Sequence, residues 1–301
     1  MRPDTLLSIY ELRACEAETR SLLDHCDLKS LVGPQLEGYH WEADFAFLFC
    51  SARADMGRLF AAVPGLELRK EHLLRYDEWQ DGANARPIVL GPLSILPWEG
   101  DGVPEEKTAD GSIGGVCGWP KKLPPVYIDP GLAFGYGGHP TTRACLGFLL
   151  RIMSPQNRNP PKTFLDLGCG TGVLALAALR LGGENALGVD YSHLAAECAV
   201  RNARLNRMAG KCVFEHGQAA DRAGHPAEVL MANLPLAVHL ELLDNNAYSV
   251  RRYLILSGLL PREANELKSR LKEALDFREL DNHRDERWSS WLLEIRDSDG
   301  S

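Results

Sequence analysis

The sequence predicts an α/β protein built on a doubly wound, mostly parallel β-sheet with a C-terminal antiparallel hairpin, preceded by a small α+β module. Three observations predict this fold. Strand-like and helix-like segments alternate between residues 163 and 274, strands and helices also interleave within the first 76 residues, and the last two strand-like segments are separated only by a polar turn. At 301 residues the chain is long enough for about two domains.

The predicted second domain, residues 126–301, carries the alternation. Its first predicted strand is the short apolar run that begins at Thr163 and leads into the glycines. The further predicted strands are Ala186–Asp190, Cys212–His216, Glu228–Asn233 and Tyr253–Ser257, and the predicted helices are Val173–Leu181, Leu194–Asn206, Leu236–Arg251 and Pro261–Ala274. Parallel strands joined by crossover helices produce this pattern. Phe277–Leu280 and Trp288–Ile295 leave no room for a helix between them, so we expect them to close the sheet as a hairpin.

The predicted first domain, residues 1–76, is an α+β module of ferredoxin-like type. Leu6–Leu12 and Phe45–Cys50 have the character of strands, Glu16–His25 and Asp55–Ala62 have that of helices, and Leu66–Tyr76 supplies another extended segment. Its aromatic cluster is interpreted as core rather than as a binding surface, because large apolar side chains are usually buried; the cluster consists of Phe45, Phe47, Phe49 and Phe60.

Residues 77–125 are predicted to connect the two domains. Residues 87–98 have the pattern of short strands broken by prolines, and Gly100–Gly118 is rich in glycine and acidic residues. This second stretch is expected to be a surface loop. Its charges are either solvated or belong to a flap that contacts the substrate.

Composition narrows the possible partners. The net charge is -8, so the overall balance gives no strong attraction to a phosphate backbone, and no direct nucleic-acid binding is expected without a local basic patch. The eight cysteines form no Cys-x-x-Cys pair, which argues against zinc, against a disulfide framework and for a reducing cytoplasm. No signal peptide or apolar run of membrane-spanning length is evident, so no membrane partner is expected.

The segment Thr163–Gly172 is a predicted strand, glycine turn and helix start. Glycines at 168, 170 and 172 alternate after Asp166, and alternate glycines permit a sharp turn whose backbone approaches a nucleotide-like ligand. The dinucleotide fingerprint fails, because Val173 stands where its last glycine is required. The pattern resembles instead the first motif of class I S-adenosylmethionine-dependent methyltransferases, which have a Rossmann-like fold. Asp190 ends the next strand, where such folds bind the ribose hydroxyls.

Asn233 lies at the end of the fourth predicted strand of this domain. An asparagine there can simply cap the following helix. The segment Asn233–Leu236 also resembles the Asn-Pro-Pro-aromatic element of amino-group methyltransferases, in which an amide oxygen and a backbone carbonyl accept hydrogen bonds from the target nitrogen. A lysine acceptor, with an ordinary pKa near 10.4, must first lose a proton.

The run Ile128–Thr142 narrows the resemblance from class I methyltransferases in general to one family. Its glycine-rich segment, which ends in His-Pro-Thr-Thr, is similar to the signature of the bacterial ribosomal protein L11 methyltransferases, and the similarity extends to Trp98 and to Leu256–Leu260. The resemblance implies S-adenosylmethionine as cofactor, methylation of lysine side chains and of an N-terminal amine, and an N-terminal module that holds the protein substrate. The family's cofactor-binding residues match Thr142, Gly168, Asp190 and Asn233.

The predicted site therefore has Asn233 as its catalytic residue and no metal, and the predicted cofactor-binding residues are Thr142, Gly168, Gly170, Gly172, Asp190 and Asn233. This chain departs from the family pattern on the substrate side, at Tyr136, Gly138 and Pro235. Two other function classes remain open at this point. They are a class I methyltransferase for another protein, a small molecule or nucleic acid, and a non-catalytic protein that binds the cofactor.

His139 has two interpretations. As a general base it would help to deprotonate an amine, whereas in a glycine-containing turn it would make a structural hydrogen bond. The structural interpretation is favoured, because no carboxylate is identifiable that would hold the ring as in a catalytic dyad. Cys169 is interpreted as a packed small side chain.

Overall fold

The computed structural model describes most of the chain, namely residues 6–14, 16–42, 45–75, 87–98, 103–104, 123–129, 137–248 and 251–296. The chain forms two compact units, one of Met1–Asn84 with Ser192–Leu194 and one of Ala85–Tyr191 with Ala195–Ser301. Residues 76–86 and 105–122 lie outside the described residues, so the domain boundaries predicted at residues 76 and 125 stay predictions. Most of the loop Gly100–Gly118 and Tyr136 also lie outside the described residues.

The first unit contains an antiparallel sheet of four described strands with helices between them. In chain order the elements are β1 (Leu6–Arg13), α1 (Ala17–His25), α2 (Leu28–Val32), β2 (Leu36–Glu42), β3 (Phe45–Cys50), α3 (Gly57–Ala62) and β4 (Glu67–Arg75). The strand order is β2-β3-β1-β4, with antiparallel pairing throughout. This is the split βαβ arrangement of a ferredoxin-like module, as the sequence predicts.

Alternate residues of this sheet form its core with the helices. Tyr10, Leu12 and Leu48 are buried against Leu23 of α1 and Leu59 of α3. Phe49 is fully buried, and Phe60 packs against this core. Phe45 and Phe47 are only partly buried and alternate along β3 with the helix-facing Ala46 and Leu48. The interpretation as core is therefore supported for Phe49 and Phe60.

The second unit starts with a small sheet of three described strands, β5 (Ile88–Leu90), β6 (Leu93–Pro97) and β7 (Val126–Ile128). β5 pairs antiparallel and β7 parallel with the central β6. The short strands predicted within the connecting region are thus paired with the start of the predicted second domain. Helix α4 (Pro140–Ile152) follows and packs against the larger sheet.

Seven described strands form that larger sheet, with helices between them. The elements are β8 (Thr163–Leu167), α5 (Val173–Arg180), β9 (Asn185–Asp190), α6 (His193–Leu205), β10 (Cys212–His216), a 3-10 helix (Ala219–Arg222), β11 (Val229–Asn233), α7 (Leu236–Asp244), β12 (Tyr253–Leu259), α8 (Pro261–Ala274), β13 (Phe277–Arg284) and β14 (Ser289–Ile295). Their order is β10-β9-β8-β11-β12-β14-β13, parallel from β10 to β12. The predicted hairpin is present, since β14 pairs antiparallel with both β12 and β13.

Two apolar layers cover the sheet. On β8, Phe164 packs with helices α4 to α6, whereas Leu165 and Leu167 pack with α7 and α8. This alternation is the period of a strand that is buried on both faces. The strand order reverses between β8 and β11, so the carboxyl ends of these two strands form the switch point at which such sheets bind ligands.

One predicted helix differs from the structure. The segment Leu236–Arg251 was expected to be a single helix, but α7 ends at Asp244. Asn246 has a φ of 58°, in the left-handed region that stops a helix. No helix among the described residues is long and apolar enough to cross a membrane.

Candidate active site

The loop between β8 and α5 has a backbone that requires its glycines. Gly168, Gly170 and Gly172 have φ values of 72°, 53° and 79°, which favour glycine over every L-residue. Space is restricted as well. A Cβ at Gly168 would lie 2.4 Å from the Leu234 side chain, and one at Gly172 would lie 2.8 Å from the ring of Phe214.

Hydrogen bonds hold this loop against the end of β9. The carbonyl oxygen of Val189 accepts from the backbone N–H groups of Gly168 and Cys169, at 2.8 and 3.1 Å. The Asp190 carboxylate accepts from the N–H of Gly170 at 2.8 Å. The predicted pair of glycine loop and strand-end acid is therefore one hydrogen-bonded unit, here called the glycine-loop side: Gly168–Gly172 with Asp190.

Asp166, the acid before the loop, is buried beneath it. Its carboxylate accepts a hydrogen bond from the N–H of Ala175 at 3.2 Å, in the first turn of α5. Burial raises the pKa of Asp166 to about 7, and the nearby negative charge of Asp190 adds to this rise. Asp166 therefore joins β8 to α5, whereas Asp190 is the acid at the carboxyl end of β9.

Asn233 lies at the end of β11, across the switch point. Its amide nitrogen donates to the hydroxyl oxygen of Thr141 at 3.1 Å and to that of Thr142 at 3.5 Å. Both threonines are 2% exposed and lie in the first turn of α4. The structure thus brings predicted Thr142 and Asn233 together; we call Asn233, Thr141 and Thr142 the Asn233 side.

His139 caps the start of α4. Its Nδ1 accepts from the backbone N–H of Thr141 and lies 2.7 Å from the Thr141 hydroxyl oxygen. Its ring also packs edge-to-face against Trp288, with centroids 5.1 Å apart. These contacts support the structural interpretation of His139.

The backbone after Asn233 is fixed by a buried histidine. The carbonyl oxygen of Ser257 accepts from the N–H of Leu234 at 3.1 Å and from Nε2 of His239 at 2.9 Å. Nδ1 of His239 then accepts from the Tyr248 hydroxyl at 2.8 Å. Burial lowers the pKa of His239 to about 4, so the ring is neutral at pH 7.

Gly258 also supports the backbone that follows Asn233. It has a φ of 83°, and a Cβ there would lie 2.6 Å from the carbonyl oxygen of Leu234. The Asn233 side thus depends on a backbone contact between two strand ends, β11 and β12. Pro235, one of the departures from the family pattern, precedes α7 as its N-cap.

Sequence reasoning missed two buried asparagines at the end of α6, Asn202 in its last turn and Asn206 directly after it. Asn202 accepts from the N–H of Asp129 and donates to the carbonyl oxygens of Asp129 and Thr171, all within 3.0 Å. Asn206 exchanges a similar pair of hydrogen bonds with the backbone of Tyr127. A pair of asparagines four residues apart on a predicted helix is the sequence signal that marks one face of α6 as polar.

Strand order, glycine loop and strand-end acid together define a class I methyltransferase fold. The family model described as "Ribosomal protein L11 methyltransferase (PrmA)" matches residues 121–294, more than half of the chain. The chain belongs to this ribosomal protein L11 methyltransferase family.

Individual relatives agree with this assignment. A ribosomal protein L11 methyltransferase of Cupriavidus necator is 38% identical over 143 residues, which cover 46% of this chain and 44% of the relative. That of Desulforamulus reducens is 29% identical over 77% of this chain and 69% of the relative. The chain spans about half the length of the first curated relatives that it matches.

A solved structure shows the same architecture. The ribosomal protein L11 methylase of Lactobacillus delbrueckii subsp. bulgaricus superposes with a TM-score of 0.53 at 25% sequence identity. The superposition covers 68% of this chain and 95% of that one.

Proposed function

We propose that this protein transfers methyl groups from S-adenosylmethionine to amino groups of a protein, namely the lysine side chains and N-terminal amine of ribosomal protein L11. The observation that carries the proposal is the position of Asn233. Its amide nitrogen is held by threonine hydroxyls, which directs the carboxamide oxygen away from them as a hydrogen-bond acceptor. An acceptor at the switch point, beside the glycine loop, suits an amine substrate.

The glycine-loop side fits the cofactor chemically. Its tight backbone excludes side chains, the amides at the start of α5 favour polar and anionic groups, and Asp190 supplies a carboxylate for ribose hydroxyls. When bound, S-adenosylmethionine supplies an electrophilic methyl group on a sulfonium sulfur. The residues we propose to hold it are Thr142, Gly168, Gly170, Gly172, Asp190 and Asn233.

The protein's contribution to transfer is alignment and exclusion of water. An amine attacks only as the neutral base, and lysine has an ordinary pKa near 10.4. The Asn233 oxygen accepts a hydrogen bond from that amine and directs its lone pair along the line of displacement. The bound cofactor would supply the methyl group, and Asn233 would hold the amine nitrogen in line with it; the proton left on the methylated nitrogen would pass to water.

We further propose that the first unit binds the protein substrate. Its sheet carries exposed apolar side chains, Leu6 at 53% and Leu73 at 65% exposure, which line a depression of about 440 Å³. Arg53 and Glu71 form an ion pair at its rim. Leu73→Ser should raise KM for the protein substrate without changing cofactor affinity; an unchanged KM would refute this role.

The function is tested by incubating the purified protein with S-adenosylmethionine and unmethylated ribosomal protein L11, followed by intact and peptide mass measurement. Methyl increments confined to lysines and the N-terminal amine are expected. L11 with acetylated amines is the matched control and should gain none. Cofactor binding without any increment on L11 would overturn the proposed substrate, and increments on added RNA would favour a nucleic-acid acceptor.

We place this activity in the cytoplasm, and the six cysteines in the described part of the chain form no disulfide.

A further inference from the structure

The hydrogen-bond chain from His139 to Asn233 has one direction that also pairs the backbone N–H of Thr141, which lies 3.4 Å from Nδ1 of His139. Nδ1 of His139 accepts from the backbone N–H of Thr141, so this ring nitrogen carries no proton. The Thr141 hydroxyl lies 2.7 Å from the same nitrogen and must therefore donate its hydrogen to it. Only lone pairs of the Thr141 oxygen remain for the next partner in the chain.

Asn233 is that partner. Because the Thr141 oxygen can only accept from it, the carboxamide must present its NH₂ group there, at 3.1 Å. The carboxamide oxygen then faces the opposite direction. The hydroxyl of Thr142, at 3.5 Å from the same nitrogen, is a longer second acceptor.

We infer that Thr141 and His139 are positioning residues that fix which end of the Asn233 carboxamide faces the acceptor amine. The inference rests on the proposed function. An amide with its NH₂ group turned to the substrate would present donors to an amine that needs an acceptor. The two ends have nearly equal size, so hydrogen bonding and not shape must select the orientation.

The rest of the surroundings support this selection. Both threonines are buried at 2% exposure, so water does not compete for the hydroxyl of Thr141. His139 is held by its contact with Trp288 and by its position as the N-cap of α4. The orientation is therefore set before any ligand arrives.

The test compares Thr141→Val, which has nearly the same shape but no hydroxyl, with Thr141→Ser, which restores it. Thr141→Val should lower kcat for amine methylation by about tenfold, because the remaining Thr142 contact is long. Its cofactor Kd should change by less than about threefold. Thr141→Ser should recover most of the rate. Thr163→Val, which removes a hydroxyl that accepts from the N–H of Glu228 at 2.9 Å at the opposite end of β8, is the control for stability loss alone and should keep wild-type kcat.

A double-mutant cycle separates positioning from a general structural effect. If Thr141 acts through Asn233, then Thr141→Val should have no further effect on kcat in an Asn233→Ala background. An equal loss in both backgrounds, or an unchanged kcat for Thr141→Val, would overturn the inference.

A readout without cofactor keeps the inference independent of activity. The ¹⁵N side-chain amide signal of Asn233, assigned by its loss in Asn233→Ala, should be protected from hydrogen exchange in the wild-type protein and in Thr141→Ser. It should lose that protection in Thr141→Val, and retained protection would refute the hydrogen-bond chain. Protection together with absent methylation would mean that the proposed function fails while the positioning remains.

Discussion

The glycine-loop side of the site is built from backbone, whereas the Asn233 side is built from side chains. On the glycine-loop side, three glycines have positive φ, and the N–H groups of Gly168 to Gly170 bond to the end of β9. On the Asn233 side, threonine hydroxyls and a buried histidine hold one amide and the backbone that follows it. Substitutions on the two sides should therefore act differently. On the glycine-loop side they should exclude the ligand sterically, and on the Asn233 side they should remove the orientation of the amide.

The largest effect is expected at Gly258, where backbone geometry supports the Asn233 side. Gly258→Ala places a Cβ 2.6 Å from the Leu234 carbonyl oxygen, on a residue with a φ of 83°. Strain and collision together should lower the free energy of unfolding by about 3 kcal/mol. Denaturant titration measures this.

Gly147→Ala is the matched control. Gly147 lies in α4, and a Cβ there would meet no atom within 4 Å. Replacing a helical glycine should raise stability by about 1 kcal/mol. A loss for Gly258→Ala no larger than about 1 kcal/mol would show that the contact between β11 and β12 can relax.

The second prediction contrasts the buried titrating groups beneath the two sides. His239 has a pKa of about 4 in the folded chain, below its ordinary 6.5, so the unfolded chain binds the proton first and stability is lost as pH falls from 6.5 to 4. Asp166 has a pKa of about 7, above its ordinary 3.8, so the folded chain keeps its proton longer and stability is lost as pH rises from 3.8 to 7. Between pH 4 and 6.5, each group changes the free energy of unfolding by about 3 kcal/mol, and the two changes have opposite signs.

Single substitutions should reveal each slope. Relative to wild type, His239→Gln should gain stability toward pH 4, and Asp166→Asn should gain stability toward pH 7. Chemical denaturation at several pH values between 4 and 7 gives both curves. If all three proteins followed parallel curves, neither pKa would differ between the folded and the unfolded chain, contrary to the effect of burial.

A smaller effect is expected from Asp190→Asn. The new amide oxygen can still accept from the Gly170 N–H, but the negative charge that we propose binds the ribose hydroxyls is lost. Cofactor Kd should rise about tenfold with little change in melting temperature, since hydrogen bonds to a charged group are the stronger ones. The control is Asp244→Asn, an exposed acid paired with Arg270. Equal Kd values for both variants would remove Asp190 from the cofactor site.

The contrast between a side built from backbone and a side built from side chains also explains which site residues the sequence could predict. The glycine-loop side is readable because φ requirements and strand-end position restrict residue type directly, so Gly168, Gly170 and Asp190 stand out. On the Asn233 side, Thr141 was overlooked beside Thr142 because both belong to one motif and only the folded geometry distinguishes their hydroxyls. His239 looks in sequence like any residue on a helix.

The fold followed a similar rule. Long periodic elements such as α8 were predicted to within a residue or two, because burial sets their period. α2 was missed because five residues show no period. β2 was missed because a bulge between Leu36 and Gly38 shifts its register against β3 and breaks the two-residue alternation.

The most direct test of the account is the single-turnover rate of methyl transfer in Asn233→Ala at saturating S-adenosylmethionine. Loss of the only carboxamide in the proposed alignment should lower this rate about 100-fold, while the melting temperature stays close to that of wild type, because the replaced side chain is partly exposed. A rate within about threefold of wild type would contradict the central claim that the Asn233 oxygen orients the acceptor amine.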